Sequence, residues 1–341
     1  MKILHGPENV AGQATAISRS QRKLGYKSDV LIFQQSHYKY ECDFNLNLAK
    51  YPNFLHPIIK LLYFPFFFVS YDTFHFHYGH TLLPKFIDLY IIRYIGRAFG
   101  KRALMEYWGS DILQFELAKR YTLISETTLR SVYPFLDDSQ QQKKIELISK
   151  LVDRTLVGDY SLLPFSPGSV VVRQAIDYSE IPFVGVDMGK RTINIVHAPT
   201  KRGIKGTDII VREVERLRKE GFPIELVLVE NVPHADAMEI YKGADIVVDD
   251  VLQGPYGIFA MECMALGKPV LARIDEKLMS HYQGLPILNT PPDKLHDNIL
   301  MLVRDPSMRD ELGRKGRRYI EENHDGMKIA QQLIQIYKSL I

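Results

Sequence analysis

Apolar runs rich in β-branched residues alternate with stretches of helical periodicity along the whole chain. Nine runs have the length and composition of buried strands: KILHG, SDVLIF, TFHFHY, ALMEYW, RTLVGD, INIVHA, ELVLVE, DIVVDD and PVLARI. The stretches ATAISRSQRKLG, GTDIIVREVERLRKEG and HADAMEIYKGA have the periodicity and end signals of helices. This alternation predicts parallel sheets covered by helices on both faces.

The alternation is interrupted at residues 173–191, which are rich in Gly, Pro and Asp and have no sustained period. We interpret this segment as a linker between an α/β domain of residues 1–172 and a second of residues 192–325. A final helix, residues 326–341, is expected to pack back toward the first domain. A chain of 341 residues suits two domains. We expect the ligand site in a cleft where the carboxyl ends of both sheets face each other.

The composition is that of a soluble globular protein, with 46% apolar and 24% charged residues. The net charge of +3 is too small and too dispersed for a nucleic-acid-binding face, so we expect no nucleic acid partner. Cys42 and Cys263 lie far apart in apolar runs and predict neither a disulfide framework nor a zinc site. The residues after Met1 lead straight into a strand and show no secretion signal. A cytoplasmic location fits these observations.

The longest apolar run, LLYFPFFFVSY from Leu61 to Tyr71, leaves two interpretations open. It is shorter than the roughly 20 residues of a membrane span and contains Pro65, so we do not expect it to cross a bilayer. It could be a buried core segment. Alternatively it could rest on a membrane surface, helped by the nearby Lys50, Lys60 and Lys85.

Several loops of the first half follow predicted strands. Gly12 opens the first helix, where free backbone N–H groups could receive a phosphate or a sugar hydroxyl, although a plain tight turn explains it as well. His75 and His77 point to the same side of their strand. We interpret His75 as a hydrogen-bonded core residue and expect no third ligand at metal spacing. His77, at the strand end, is a candidate for the cleft.

The stretch EYWGSD ends another predicted strand and places Trp108 and Asp111 at the same edge. Asp111 has two interpretations. It could cap the predicted helix ILQFELAKR, or it could face a ligand at the cleft rim.

The loop VHAPTKRGIKGTDII carries three cations, Lys201, Arg202 and Lys205, after a strand of the second half. Such cations repel each other unless an anion lies between them. A guanidinium forks two phosphate oxygens while an ammonium acts as a point charge, so Arg202 with Lys205 suits a diphosphate. A solvated surface is the alternative.

The stretch GPYGIFAMECMALGKPVLA, residues 254–272, places a single carboxylate inside an apolar helix. The helix is predicted to begin near Ile258, with its N-terminus favouring an anion. Glu262 lies one turn further on and is costly to bury without hydrogen bonds. The two hydroxyls of a ribose would satisfy both of its oxygens. A local pair with Lys268 is the alternative.

With these residues in hand, the chain resembles the retaining glycosyltransferases of the GT-B architecture, in particular the family 4 group. The resemblance covers essentially the whole chain. It rests on KRGIKG, on YKGADIVVDD followed by YGIFAMECMALGKPV, on ELGRKGRRYIEENH and, more loosely, on NVAGQ and WGSD. It implies two Rossmann-like domains facing across a cleft, the second binding a nucleotide-sugar donor and the first an acceptor.

The resemblance also implies residue roles. Arg202 and Lys205 would neutralise the leaving diphosphate as the catalytic cations, and Glu262 would bind the ribose. Further donor contacts would come from Gly12, Gln13, Tyr256, Gly257 and Ile258, and acceptor contacts from His77, Trp108 and Asp111. No cofactor or metal is expected, because the chain has no Asp-any-Asp triplet and the cations stabilise the leaving charge.

Three departures from the family pattern leave the donor sugar open. The family's second Glu, eight positions before Glu262, is replaced by Gly254, and a His that commonly precedes Gly109 is Trp108. The spacing from Arg202 to Lys205 is also shorter than usual.

The resemblance predicts a metal-independent enzyme that transfers a sugar from a nucleotide-diphosphate-sugar to a hydroxyl acceptor with retention. Polysaccharide biosynthesis on a glycan or lipid-linked glycan is the expected setting, in the cytoplasm, with peripheral contact to the inner face of the membrane through Leu61–Tyr71 left open. Two alternatives remain: a nucleotide-sugar epimerase of the same architecture, and a catalytically silent nucleotide-sugar-binding partner subunit.

Overall fold

A computed structural model describes residues 1–340 and groups them into two compact α/β units. The first unit contains residues 1–114, residues 137–177 and the residues from 326 onward, and the second contains residues 115–136 and 178–325. The last helix therefore lies in the first unit. The predicted boundary at residue 172 placed residues 115–136 in the first domain, whereas their contacts group them with the second unit.

The first unit contains a seven-stranded sheet in the order β3-β2-β1-β4-β5-β6-β7, and every neighbouring pair is parallel. Its strands are β1 (Lys2–Gly6), β2 (Lys27–Ile32), β3 (Phe44–Asn45), β4 (Thr73–His77), β5 (Arg102–Tyr107), β6 (Arg154–Val157) and β7 (Val170–Val171). Its α-helices are α1 (Gln13–Lys23), α2 (His56–Ser70), α3 (Ile87–Tyr94), α6 (Asp138–Leu151) and α14 (Gly326–Ser339).

Helices α1 and α14 pack against each other and cover one face of this sheet. Ile17 of α1 and Leu333 of α14 join Ile3, Leu104 and Leu156 of three strands in one buried cluster. Helix α1 begins after Gly12, which has a left-handed backbone with a φ of 71°. A side chain there would also contact the ring of Tyr40 at 2.8 Å, so glycine is required at this turn.

The second unit contains a five-stranded sheet in the order β12-β11-β10-β8-β9, again parallel throughout. Its strands are β8 (Ile193–His197), β9 (Ile224–Leu228), β10 (Ile246–Val248), β11 (Val270–Ala272) and β12 (Leu288–Asn289). Its helices are α4 (Phe115–Tyr121), α5 (Glu126–Val132), α7 (Arg202–Lys205), α8 (Thr207–Lys219), α9 (His234–Lys242), α10 (Ile258–Ala265), α11 (Glu276–Met279), α12 (Leu295–Arg304) and α13 (Pro306–Asn323).

The predicted α/β class and its two parallel sheets are confirmed. Each of the nine predicted strands coincides with a strand of the structure. The three strands that the sequence did not indicate, β3, β7 and β12, are two-residue strands, and all three lie at the outer edges of the sheets. Such short pieces carry too few residues to show an alternation of apolar and polar positions.

Helix α2 is longer and more exposed than the apolar run suggested. It continues directly from a 3-10 turn at Asn53–Leu55, so that residues 53–70 form one 18-residue helical segment of mean hydropathy 1.3, of which 11% is buried. By length and composition alone it is the one helix among residues 1–340 that could cross a membrane. Phe64 and Phe67 are buried, whereas Leu62 and Val69 are 72% and 78% exposed. The expectation of a buried core segment is therefore wrong for most of this helix.

Candidate functional site

The three cations after β8 each have a separate partner within the second unit. The Lys201 ammonium lies 4.2 Å from the centre of the Tyr133 ring. Arg202 donates two hydrogen bonds to Glu230, from Nε at 2.9 Å and from Nη2 at 2.5 Å. Protein groups thus relieve the repulsion that the sequence suggested, and no anion is needed to hold the turn together.

Lys205 is the buried member of this turn. Its Nζ lies 2.8 Å from Asp249 Oδ1 and 3.6 Å from Asp250 Oδ2, and both carboxylates are buried. Burial alone would lower the pKa of Lys205, but the two carboxylates outweigh it and raise the pKa. Lys205 is therefore a permanent cation in a buried pair, which costs several kcal/mol to break by removing one member.

The same ion pair holds the start of α10. The Gly257 N–H donates to Asp249 Oδ2 at 3.2 Å, and a Cβ at Gly257 would lie 3.6 Å from Lys205 Nζ. The predicted neighbourhood of Lys205 and Gly257 is thus present in the structure. Ile258, the first residue of α10, lies half-buried beside it, and the first N–H groups of a helix have no partner inside the helix.

Glu262 has a partner that the sequence did not indicate. It is 7% exposed, and its Oε1 accepts a hydrogen bond of 2.6 Å from Nε2 of His234, the first residue of α9. Burial alone would lower the pKa of His234, but the Glu262 carboxylate outweighs it and raises the pKa. The alternative pair with Lys268 is not formed, because that ammonium donates to the Gly185 carbonyl at 2.5 Å.

The Tyr256 side chain serves the fold. Its phenol is buried and lies 3.1 Å from the Tyr319 hydroxyl and 2.9 Å from His324 Nε2. It therefore anchors the loop before α10 to the end of α13. Only the backbone of Tyr256 is left for the predicted donor contact.

The structure explains why residue 254 is a glycine. A Cβ at this position would lie 2.8 Å from Asp275 Cβ and 3.4 Å from Arg273 Nη1. Those two side chains pair with each other at 3.0 Å. The acid expected here in the family would have no room unless Asp275 moved.

His197 is a buried site residue that the sequence analysis did not single out. Its Nδ1 lies 2.7 Å from the Val248 carbonyl and its Nε2 lies 2.9 Å from the Thr207 hydroxyl. Burial lowers its pKa to about 4, so it is neutral. It links the end of β8 to β10 and to the start of α8, and so fixes the loop that carries the three cations.

In the first unit, strand register gathers a buried polar cluster on one face of the sheet. His5 of β1 lies opposite His75 of β4, and His77 lies opposite Glu106 of β5. The expectation that no third ligand would be near His75 and His77 is therefore wrong. The ligand nitrogens of the three histidines lie within 4.8 Å of one another, which makes them the candidate metal ligands among residues 1–340.

Each imidazole nitrogen of this cluster already faces a protein partner. His5 Nδ1 lies 3.1 Å from His77 Nε2, and the outer nitrogens of His5 and His75 lie 2.9 Å from Gln21 Oε1 and 2.6 Å from the Tyr337 hydroxyl. His75 Nε2 lies 3.1 Å from Glu106 Oε2. His75 Nε2 and both Glu106 oxygens are buried without a hydrogen bond to any group of residues 1–340, so Glu106 is held in this cluster by ion-pair distances alone. Because the other imidazole nitrogens have protein partners, we interpret the cluster as a structural network.

The network ends at the predicted acceptor-side residues. Trp108 donates its indole N–H to His77 Nδ1 at 3.2 Å. Burial and the neighbouring His75 lower the pKa of His77 to about 4, which leaves it a neutral acceptor. The structure therefore brings His77 and Trp108 together.

Asp111 stabilises the loop that carries Trp108. Its Oδ1 accepts from the N–H groups of Trp108 at 3.1 Å and Gly109 at 2.7 Å. Burial raises the pKa of Asp111 to about 6, although these N–H groups and the nearby Lys144 act in the opposite direction. It does not cap the predicted helix, since α4 begins only at Phe115.

Gln13, predicted as a donor contact, is engaged inside the first unit. Its side-chain amide donates to the Ala175 carbonyl at 3.1 Å and accepts from the Ala175 N–H at 2.8 Å. Both ends of the amide are thus used to hold residue 175. The Gly12 N–H donates a long hydrogen bond of 3.5 Å to the Asn9 carbonyl, so a ligand at this turn would replace that bond.

The comparisons with known proteins agree on the fold, and the family model and the sequence relatives are described as glycosyltransferases. Residues 209–335, less than half of the chain, match the model of a family described as glycosyl transferase-like. An uncharacterised glycosyltransferase of Methanocaldococcus jannaschii is 26% identical over 104 residues. That match covers 29% of this chain and 27% of the relative, so it spans only about a quarter of the relative's length.

Solved structures match over the full chain at low identity. A sucrose-phosphate synthase from Thermosynechococcus elongatus has a TM-score of 0.62 at 15% identity and covers 100% of this chain and 99% of its own. Anabaena HepE in complex with UDP-glucose has a TM-score of 0.60 at 14% identity, with 99% and 100% covered. A Listeria monocytogenes protein provisionally assigned as a UDP-N-acetylglucosamine 2-epimerase has a TM-score of 0.56 at 13% identity, with 99% and 96% covered. These likenesses show the fold, which is the GT-B architecture.

Proposed function

We propose that this chain is a glycosyltransferase that moves a sugar from a nucleotide-diphosphate-sugar to a hydroxyl acceptor with retention. One observation carries the proposal: a buried cation, a helix N-terminus and a carboxylate follow one another along α10. Lys205 lies beside Gly257 at the start of the helix, and Glu262 lies about 7 Å further along the axis at 1.5 Å per residue. In a nucleoside diphosphate the charged phosphates are followed by the ribose hydroxyls. The diphosphate would therefore lie at the start of α10 and the ribose near Glu262.

Arg202 is the cation that is free to exchange partners. Its side chain is 52% exposed, and an exposed pair such as Arg202 with Glu230 contributes little to stability because solvent screens it. A diphosphate presents more charge and more acceptor oxygens to the same guanidinium fork than a single carboxylate does. We therefore assign Arg202 to the leaving diphosphate, and Lys205 to holding the helix N-terminus that faces it.

The chemistry proposed for this site needs no metal. Negative charge grows on the diphosphate oxygen as the glycosidic bond breaks, and Arg202 with the N–H groups at the start of α10 would stabilise it. Glu262, held by His234, would accept hydrogen bonds from the ribose. Activity in the presence of a chelator, measured against a chelator-free control, tests the metal independence.

The acceptor is assigned to the first unit, at the turn of Gly12 and the loop that carries His77, Trp108 and Asp111. A glycan or a lipid-linked glycan is the proposed class, handled in the cytoplasm. Peripheral contact with the inner face of the membrane through Leu61–Tyr71, most of which is exposed, would suit a lipid-linked acceptor, but the proposed transfer does not depend on it.

A nucleotide-sugar epimerase is the second candidate, favoured by the Listeria structure. Incubation with labelled nucleotide-sugars, with and without glycan and lipid-linked acceptors, separates the two. Acceptor-dependent release of nucleoside diphosphate supports the transferase. Isomerised sugar formed without acceptor supports the epimerase, and nucleotide-sugar binding without turnover supports a silent partner subunit.

A further inference from the structure

The first unit presents a group of exposed apolar side chains to solvent, which we call the aromatic face and which comprises Ile58, Leu62, Phe66, Val69, Tyr94 and Phe99. Helix α2 contributes Ile58, Leu62, Phe66 and Val69, which follow one another at intervals of three or four residues and are 52% to 78% exposed. Tyr94 at the end of α3 and Phe99 in the following 3-10 helix are 73% and 72% exposed. Scattered exposed apolar residues are ordinary, but a run of this length on one helix side marks an interaction surface.

The two parts of the aromatic face are neighbours in the fold. Phe68 of α2 lies 3.2 Å from where a Cβ of Gly96 would stand, so glycine there lets the 3-10 helix Gly96–Phe99 approach α2. The ammonium of Lys101 lies 5.0 Å from the centre of the same Phe68 ring. Exposed residues from both elements thus belong to one region of the first unit.

Positive charge predominates in the chain segment that carries the aromatic face. Between residues 44 and 102 the chain has seven Lys and Arg residues and only two acids, Asp72 and Asp88, while the whole chain has a net charge of only +3. Asp88 is buried, Arg97 is paired with Asp153, and Lys50 and Lys85 are exposed. The excess positive charge of the chain is therefore concentrated beside its most apolar surface.

Aromatic and aliphatic side chains flanked by lysines and arginines are what a helix lying in the plane of an anionic membrane surface requires. A protein partner would fit this composition less well, because the centres of protein interfaces are poor in lysine. We infer that the aromatic face docks on the surface of an anionic lipid bilayer, with α2 lying along it. Docking is independent of the transferase activity. One consequence of docking rests on the proposed function, namely that the enzyme would meet its acceptor at the bilayer.

Co-sedimentation of the full chain with vesicles tests the docking without any nucleotide-sugar. We expect binding to vesicles of phosphatidylcholine mixed with phosphatidylglycerol, and at least about tenfold weaker binding to phosphatidylcholine alone or at high salt. The double variant Leu62→Ser/Phe66→Ser should lose about tenfold or more in binding. Phe135→Ser, at a side chain that is 96% exposed in the second unit, is the matched control and should bind as the unaltered chain does.

The melting temperature of each variant shows whether it folds. Light scattering of the unaltered chain in solution shows whether a second copy of the chain, instead of a bilayer, covers the aromatic face. Unchanged vesicle binding by a folded Leu62→Ser/Phe66→Ser variant would overturn the inference. The inference would also be overturned if the unaltered chain formed a dimer that Leu62→Ser/Phe66→Ser abolished and did not bind vesicles. The aromatic face would then be an interface between two copies of the chain. Failure of the transferase assay alone, with vesicle binding intact, would contradict the proposed function and leave the docking standing.

Discussion

Glu262 and His234 face each other across 2.6 Å, a carboxylate inside one helix and an imidazole at the start of another. The carboxylate oxygen that the sequence assigned to a ribose is thus already held by a protein donor. The second oxygen is left for a ligand, and the imidazole fixes the direction in which it points.

This pair predicts a pH-dependent contribution to stability. Because Glu262 raises the pKa of His234 in the folded state, the contribution is complete below the unfolded value of about 6.5 and is lost as the pH rises through the folded value. His234→Gln should therefore lower the free energy of unfolding by about 1 kcal/mol at acidic pH and by much less at alkaline pH. Urea unfolding at both ends of this range measures it. His37→Gln, at an exposed histidine of the first unit, should show no such trend, and a pH-independent loss for His234→Gln contradicts the prediction.

Arg202→Ala separates catalysis from stability. Turnover should fall by about 2 kcal/mol of barrier, roughly 30-fold, because a stabiliser of the leaving diphosphate is removed. The free energy of unfolding should stay close to that of the unaltered chain, since the pair with Glu230 is exposed and screened by solvent. Initial rates with saturating acceptor provide the measurement. Arg212→Ala removes another exposed, ion-paired arginine of the same unit and should leave the rate unchanged. Equal rates for both variants would count against the assigned role.

Lys205→Ala should act mainly on folding. Removing the ammonium leaves Asp249 and Asp250 buried without a counter-charge, which costs about 3 to 5 kcal/mol. Denaturant unfolding monitors the loss, and Lys219→Ala, on an exposed side of α8, is the matched control. Adding Asp249→Asn to Lys205→Ala should recover part of the stability because one uncompensated charge disappears. A single variant as stable as the control would show that the pair is not buried in solution.

Gly254→Ala tests why the family's second acid is missing. The new methyl group would lie 2.8 Å from Asp275 Cβ, so we expect a loss of about 1 to 3 kcal/mol from overpacking. Asp275→Gly removes the obstructing side chain. It also removes the side-chain cap at the start of α11, which should lower the free energy of unfolding by about 1 kcal/mol. The two changes together should cost less than the sum of the single losses, which a double-mutant cycle of melting temperatures detects. Strictly additive losses would mean that residue 254 has room for a side chain.

The sequence predicted the architecture well because buried parallel strands are long apolar runs. It predicted individual partners poorly, because partners depend on which strand lies next to which. His5 and His75 are 70 positions apart, and only the adjacency of β1 and β4 brings them together. Similarly, nothing in the sequence around Gln13 indicates that its side-chain amide hydrogen-bonds the backbone of Ala175.

Within the candidate site, the sequence predicted the location of the charges better than their pairing. The residues of KRGIKG and the helix at Ile258 do meet, through Lys205 and Gly257. The acids that neutralise Lys205 are the last two residues of DIVVDD, which the sequence analysis assigned only to a strand. A local pattern cannot show that the end of a strand faces a loop 44 positions earlier. The partner of Glu262 was missed for the same reason.

Residues 115–136 pack on the second unit although the chain on both sides of them belongs to the first. The Leu123 N–H donates to the Leu252 carbonyl, and Thr128 lies against Gly203 in the cation turn. A fragment ending at residue 177 would carry this segment without the sheet it covers, and a fragment starting at residue 178 would expose the surface that the segment shields. Dissection of this protein into halves by a single cut should therefore yield two damaged pieces, and an excised second unit would need residues 115–136 supplied through an engineered connection.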